Sequence, residues 1–126
     1  MQIFKTKWFM RYARQEHLED SSLCDAIERA ERGIVDADLG GGIIKQRVAR
    51  IGQGRSGGYR LLIAYRSGKR AVFLYGFAKN ERDNIGPDEL ETLREIGEAW
   101  LEAKKLRLEQ AIHDGLLKEV KNDDNE

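Results

Sequence analysis

The sequence predicts a layered α+β domain: two helices, a three-stranded antiparallel meander and a closing helix. Three observations predict it. Apolar residues recur at helical spacing from Phe4 to Ile34, alternate from Ile43 to Arg66 in runs broken by glycine turns, and return to helical spacing after Pro87. At 126 residues, 40% of them apolar, the chain can bury one core despite a charged fraction of 35%.

The elements follow in order. Met1–Phe4 reads as a short strand running straight into a helix. Phe4, Trp8, Phe9, Tyr12 and Ala13 give that helix an apolar face for the core, and Lys7, Arg11 and Arg14 take its other side. His17–Asp20 is a turn. A second helix spans Ser22 to Arg32, with Leu23, Ile27, Ala30 and Ile34 on one stripe, Ser22 and Asp25 as a capping pair, and Gly33 as its stop. Asp36–Gly42 is polar and glycine-rich, so it reads as a loop. Ile43–Arg50 alternates as a strand, Gly52–Gly58 is a flexible turn, and Tyr59–Arg66 is the next strand. Ser67-Gly68-Lys69 closes a tight hairpin. Ala71–Ala78 is apolar on both faces, as a strand covered on each side must be. Ile85-Gly86-Pro87-Asp88-Glu89 starts the last helix, since proline suits a first turn and acids suit its dipole. Leu90, Leu93, Gly97, Trp100 and Leu101 form its stripe. The pattern weakens after Ala103 and continues to Leu116, which leaves the helix long or broken. Lys121–Glu126 is expected to be a disordered tail.

Charge is distributed unevenly. Residues 43–82 carry ten Lys and Arg against one acid, Glu81, whereas the 44 residues after them carry six cations and thirteen acids. The formal net charge of zero is therefore a cancellation, and the basic middle segment points to a phosphate-bearing partner, RNA or DNA. Cys24 is the sole cysteine, and His17 and His113 lie far apart, so neither an internal disulfide nor a metal site is expected. No run of eighteen apolar residues or hydrophobic leader occurs. The chain is expected to be cytoplasmic, without a membrane partner.

Two motifs bear on chemistry. Gly52-Gln53-Gly54-Arg55-Ser56-Gly57 matches GxGxxG, but a dinucleotide site needs a helix after the glycines, and here a strand follows. A kinase-type glycine loop does join two strands, yet the catalytic and metal-binding loops of a kinase are missing. The segment is better read as a hairpin whose Arg55 and backbone N–H groups meet phosphate. The second motif is cation spacing. Lys45 and Arg47, two apart, leave one face of a strand; Arg60 begins the neighbouring strand near Arg47 or Arg50; Lys79 ends the next, with Arg82 just beyond. A merely solvated face mixes both signs, and acids are nearly missing here. Arg66, Lys69 and Arg70, around a hairpin turn, read as ordinary surface cations.

Ile44-Lys45-Gln46-Arg47-Val48, Arg55-Ser56-Gly57-Gly58-Tyr59-Arg60 and Phe73-Leu74-Tyr75-Gly76-Phe77-Ala78-Lys79-Asn80-Glu81-Arg82 together resemble the RelE/ParE toxin superfamily of type II toxin–antitoxin systems, and its RelE/HigB-like branch most. The resemblance covers residues 1–103 and leaves 104–126 as a helical extension with an acidic tail. It implies two N-terminal helices packed on a curved antiparallel sheet, formed by a short N-terminal strand and the meander, with a C-terminal helix. It further implies a ribosome-dependent mRNA endonuclease needing no cofactor or metal, in which the ribose 2′-hydroxyl attacks the adjacent phosphate. Arg60 would stabilise the transition state, Lys79 would sit beside the scissile phosphate, and Lys45 or Arg47 would act as base or orient the substrate. Arg50, Arg55, Asn80 and Arg82 would bind RNA. Tyr75 and Glu81 are the candidates for general acid, and Gly86 stands where some members carry a tyrosine. The implied partners are mRNA, the ribosome and an antitoxin of helix-turn-helix type, with operator DNA bound by the pair. A ParE-like gyrase poison and a nonenzymatic nucleic-acid-binding module are the alternatives. The charge asymmetry also raises the expectation that the acidic C-terminal helix covers the basic groove.

Overall fold

The computed structural model describes residues 1–50 and 54–121, apart from the side chains of residues 54–56. The elements are β1 (Gln2–Thr6), α1 (Lys7–Glu16), α2 (Asp20–Glu31), β2 (Ala37–Gly40), β3 (Ile43–Arg50), β4 (Gly54–Arg66), β5 (Arg70–Ala78), α3 (Pro87–Glu102), α4 (Lys105–His113) and β6 (Leu117–Glu119). They form one open sheet in the order β2-β3-β4-β5-β1-β6. The meander β3-β4-β5 is antiparallel, as its alternation implies. β1 lies parallel to β5, with Phe4 opposite Val72, so the sheet is mixed.

The sheet separates two cores. On one face, Phe9 and Ala13 of α1 and Leu23, Ala26 and Ile27 of α2 pack on Ile44, Leu61, Ile63 and Phe73. On the other, Leu101 of α3 and Leu108 and Ala111 of α4 pack on Ile43, Leu62, Ala64, Val72 and Leu74. β5 supplies both layers, which explains its continuous apolar run.

Several boundaries differ from the sequence reading. β1 extends to Thr6, so Phe4 lies in the strand; the Thr6 hydroxyl accepts from the Phe9 N–H at 3.3 Å and donates to the Phe73 carbonyl at 3.1 Å. α2 begins at Asp20, with no capping pair at Ser22 and Asp25; Asp25 instead approaches Arg29, at 3.7 Å. Ile34 lies beyond the helix and is half exposed, because Gly33, at φ +83°, ends it. The Asp36–Gly42 loop contains β2, made feasible by the positive φ of Gly40, Gly41 and Gly42, which turn the chain back into β3. Within the expected turn Gly52–Gly58, Gly52 and Gln53 lie outside the described residues, and from Gly54 the chain is already strand. Of the expected disordered tail, residues 122–126 likewise lie outside them.

The closing helix is broken. α3 starts where Pro87 and the acids imply, and the Gly86 N–H donates to the Glu89 carboxylate at 3.0 Å. It stops at Glu102 because Ala103 turns to extended backbone, and the Arg70 guanidinium takes the orphaned carbonyls of Trp100, Leu101 and Ala103 at 2.8–3.1 Å. Arg66 pairs with Glu102 at 2.6 Å nearby. Two of the hairpin cations thus fasten a helix end. α4 follows, and β6 pairs with β1, burying Leu117.

Two predictions follow from this packing. A Cβ at Gly97 would meet the Ala64 methyl at 2.9 Å and Ile43 Cδ1 at 3.0 Å. Gly97→Ala should therefore lower stability by about 1 kcal/mol in denaturant melts, overpacking outweighing the usual gain of about 1 kcal/mol for alanine over glycine in a helix. Arg70→Met should cost about 2 kcal/mol, by loss of charged hydrogen bonds to buried carbonyls, and hydrogen exchange should speed up first in the last turn of α3.

Candidate functional site

β3 and β4 pair with Arg47 directly opposite Arg60 and Lys45 opposite Leu62; across the next ladder Arg60 faces Phe77 and Leu62 faces Tyr75. Cross-strand partners project from one side of a sheet, so Lys45, Arg47, Arg60, Tyr75 and Phe77 share the face that carries α3. The Lys79 N–H donates to the Gly58 carbonyl at 3.1 Å, which continues the ladder and brings Lys79 two residues past Phe77 on the same side. The register therefore gathers Lys45, Arg47, Arg60 and Lys79 from three β-segments.

Arg60 is only 6% exposed. Burial, followed by the charge of Arg47, pulls its guanidinium below the usual arginine value, and Asp36 acts in the opposite sense. Two guanidiniums crowded in this way favour an anion between them, and each can offer a fork to phosphate oxygens. Among the described residues no carboxylate forms an ion pair with Lys45, Arg47 or Lys79.

Arg47 is held by its backbone. β2 stops opposite Lys45, so the outer N–H and C=O of Arg47 have no strand to meet. The Asp36 carboxylate accepts from the Arg47 N–H at 2.6 Å, and Arg29 Nη2 donates to the Arg47 carbonyl at 2.7 Å. Arg29 is itself buried, with Nη1 3.8 Å from Asp36 Oδ2. Gln46, fully buried, donates to the carbonyls of Ala26 and Ile34 and accepts from the Asp36 N–H, all at 2.9–3.0 Å. Sequence reasoning missed Arg29, Asp36 and Gln46 as support for the site. The available signal was a polar residue on an otherwise apolar stripe, at Gln46 between Ile44 and Val48 of β3.

The remaining candidates separate. Arg50 lies on the opposite face, its guanidinium 5.7 Å from the Tyr59 ring centre, beside a cavity of about 580 Å³ shared with Glu16 and His17. Arg82 stacks on Phe77 at 5.6 Å but is bound to the Asn84 carbonyl and Glu89 at 2.8 Å, and it donates to the Tyr75 hydroxyl at 3.3 Å. That ion pair raises the Arg82 pKa and lowers that of Glu89. Asn80 is exposed in the turn after β5. The Arg55 side chain lies outside the described residues. Of the two acid candidates, Tyr75 shares the cation face, packed between Trp8 at 4.5 Å and Phe77 at 6.3 Å. Glu81 is felt on the other side: burial, then Glu16, Tyr59 and Glu81, raise the pKa of the Tyr12 hydroxyl.

Among the described residues, no three of His, Cys, Asp and Glu converge as metal ligands, and no helix is long and apolar enough to cross a membrane. No curated protein and no solved structure matches the chain. A family model, the RelE toxin of the RelE/RelB toxin–antitoxin system, matches residues 1–120, covering the sheet, its two helical layers and every cation discussed above. The chain belongs to the RelE toxin family.

Proposed function

We propose that this toxin is an endoribonuclease that cuts mRNA on the ribosome, without a metal, and so arrests translation. The observation that carries the reading is the cross-strand pair Arg47–Arg60, with Lys45 and Lys79 on the same face and no carboxylate ion-paired to Lys45, Arg47 or Lys79 among the described residues. In the reaction the ribose 2′-oxygen bonds to the adjacent phosphorus as the bond to the 5′-oxygen breaks, leaving a 2′,3′-cyclic phosphate and a 5′-hydroxyl. Negative charge grows on the phosphorane oxygens. Arg60, buried and preorganised, offers its fork to them, and Lys79 stands beside the same phosphate. Lys45 takes the 2′-hydroxyl proton or, with Arg47, orients the ribose. Tyr75, on that face, is the better placed donor to the leaving 5′-oxygen.

In this reading residues 1–103 carry the site, and within the extension 104–126 helix α4 and strand β6 add to the second layer and the sheet. The chain works in the cytoplasm, is neutralised by a helix-turn-helix antitoxin, and with it binds operator DNA. Arg50 and Arg82, set apart from the cation pair, contact RNA only outside the scissile phosphate.

Arg60→Ala should abolish growth arrest and remove 5′-hydroxyl transcript ends while the purified variant keeps its circular dichroism. Arg60→Lys, which keeps the charge but loses the fork, should lower cleavage on the order of a hundredfold. A folded, abundant Arg60→Ala protein that cuts mRNA at the wild-type rate would refute the assignment.

A further inference from the structure

The cation face has a carboxylate built into its frame. Asp36, one residue before β2, is held twice: its N–H donates to Gln46 Oε1 at 2.9 Å, and its carboxylate accepts from the Arg47 N–H at 2.6 Å. Behind it lies Arg29, whose side chain is 7% exposed against 24% for Asp36. Arg29 Nη2 donates to the Arg47 carbonyl at 2.7 Å. Its Nε and Nη1 make no hydrogen bond among the described residues and sit at ion-pair range, 3.7 Å from Asp25 and 3.8 Å from Asp36. Tethering the two peptide groups of Arg47 needs no charge, since an amide oxygen accepts from an N–H and an amide nitrogen donates to a carbonyl. Burying a guanidinium beside a carboxylate is a costly way to meet that need. The surplus is charge, and it reaches the site. Burial, then Arg47, lower the Arg60 pKa, and Asp36 opposes both.

We propose that Asp36, backed by Arg29, is a positioning residue with two separable effects: its hydrogen bond fixes Arg47, and its negative charge restrains the hold of the Arg47–Arg60 pair on phosphate. The proposal rests on the endoribonuclease reading and adds to it what sets the grip on RNA before and after cleavage. Without the charge, phosphate binds more tightly in substrate, transition state and cyclic product alike, which lowers KM without raising kcat. Without the hydrogen bond, Arg47 loses its fixed direction, and kcat is the quantity that falls. Arg29 works in the opposite electrostatic sense. Its removal leaves the Asp36 charge uncancelled beside the pair and weakens the hold on phosphate. A clamp of purely structural value predicts instead that removing either charge weakens binding.

The test titrates the purified full chain with single-stranded 2′-fluoro RNA, which offers phosphate and bases without an attacking hydroxyl, and separately follows mRNA cleavage on ribosomes. Asp36→Asn keeps an oxygen for the Arg47 N–H and should bind the fluoro RNA about fivefold more tightly at low salt, a gain that shrinks as salt is raised. Its KM should fall while kcat does not rise. Asp36→Ala should lower kcat roughly tenfold, so that the asparagine variant rescues what the alanine variant loses. Arg29→Met should bind the fluoro RNA about fivefold more weakly. Asp38, opposite Ile44 on the other face of the sheet, accepts from the Gly40 N–H at 2.9 Å. Asp38→Asn removes the same unit of charge from the chain and should leave affinity as it was. A folded Asp36→Asn protein that binds fluoro RNA no more tightly than wild type would overturn the proposal, and so would equal tightening by Asp38→Asn. If Arg29→Met proves unfolded by its thermal midpoint, Asp36→Asn and Asp38→Asn still decide the matter. Failure of the nuclease reading shows separately, as a wild-type chain that cuts no mRNA although the Asp36 and Arg29 variants move affinity in opposite directions.

Discussion

The register between β3 and β4 is the constraint on which the rest depends. It sets Arg47 against Arg60, and a slip of one residue would send Lys45 and Arg47 to the face packed by α1 and α2. Apolar parity protects it, because Ile44 and Val48 are buried on one side and Ile43 on the other. Past the end of β2, side chains replace a neighbouring strand. Asp36 and Arg29 complete the hydrogen bonding of Arg47, and Gln46 ties the same segment to α2. The position of the Arg47–Arg60 pair is thus set by buried polar contacts as well as by the ladder.

Charge and packing serve two surfaces of one face. α3 divides them: its N-terminal turn holds Arg82 through Glu89, and its middle presents Ile96 and Trp100. Tyr75 and Phe77 lie between Trp8 and the cation pair, so the two regions share side chains.

Much of this was legible in the sequence, for reasons that differ by element. β3, β4 and β5 announce themselves through alternation and a two-faced apolar run, and α3 through Pro87 and the acids of its first turn. Arg47 and Arg60 could be placed together because a hairpin links their strands. Arg50 could have been separated from them by parity alone, since Arg47 and Arg50 differ by an odd number of residues. β2 and β6 were not legible: β2, four residues long, lies in a glycine-rich stretch that reads as loop, and β6, three residues long, exists through β1, remote in sequence. Nor was the clamp on Arg47, because Arg29 lies 18 residues away and reads as one more surface cation. The break after Glu102 depends on Arg70, whose role appears only once the hairpin and helix end are folded together.

The pairing of β6 with β1 has a wider meaning. β1 is hydrogen-bonded to β5 on one side, and on the other the three residues of β6 and the Val120 N–H occupy its peptide groups. Without them that strand would offer a bare rim to any extended polypeptide, including another copy of itself. The short C-terminal ribbon therefore works as a sentry against sticking, and a shortened chain would tend to come out of solution before its chemistry could be assayed.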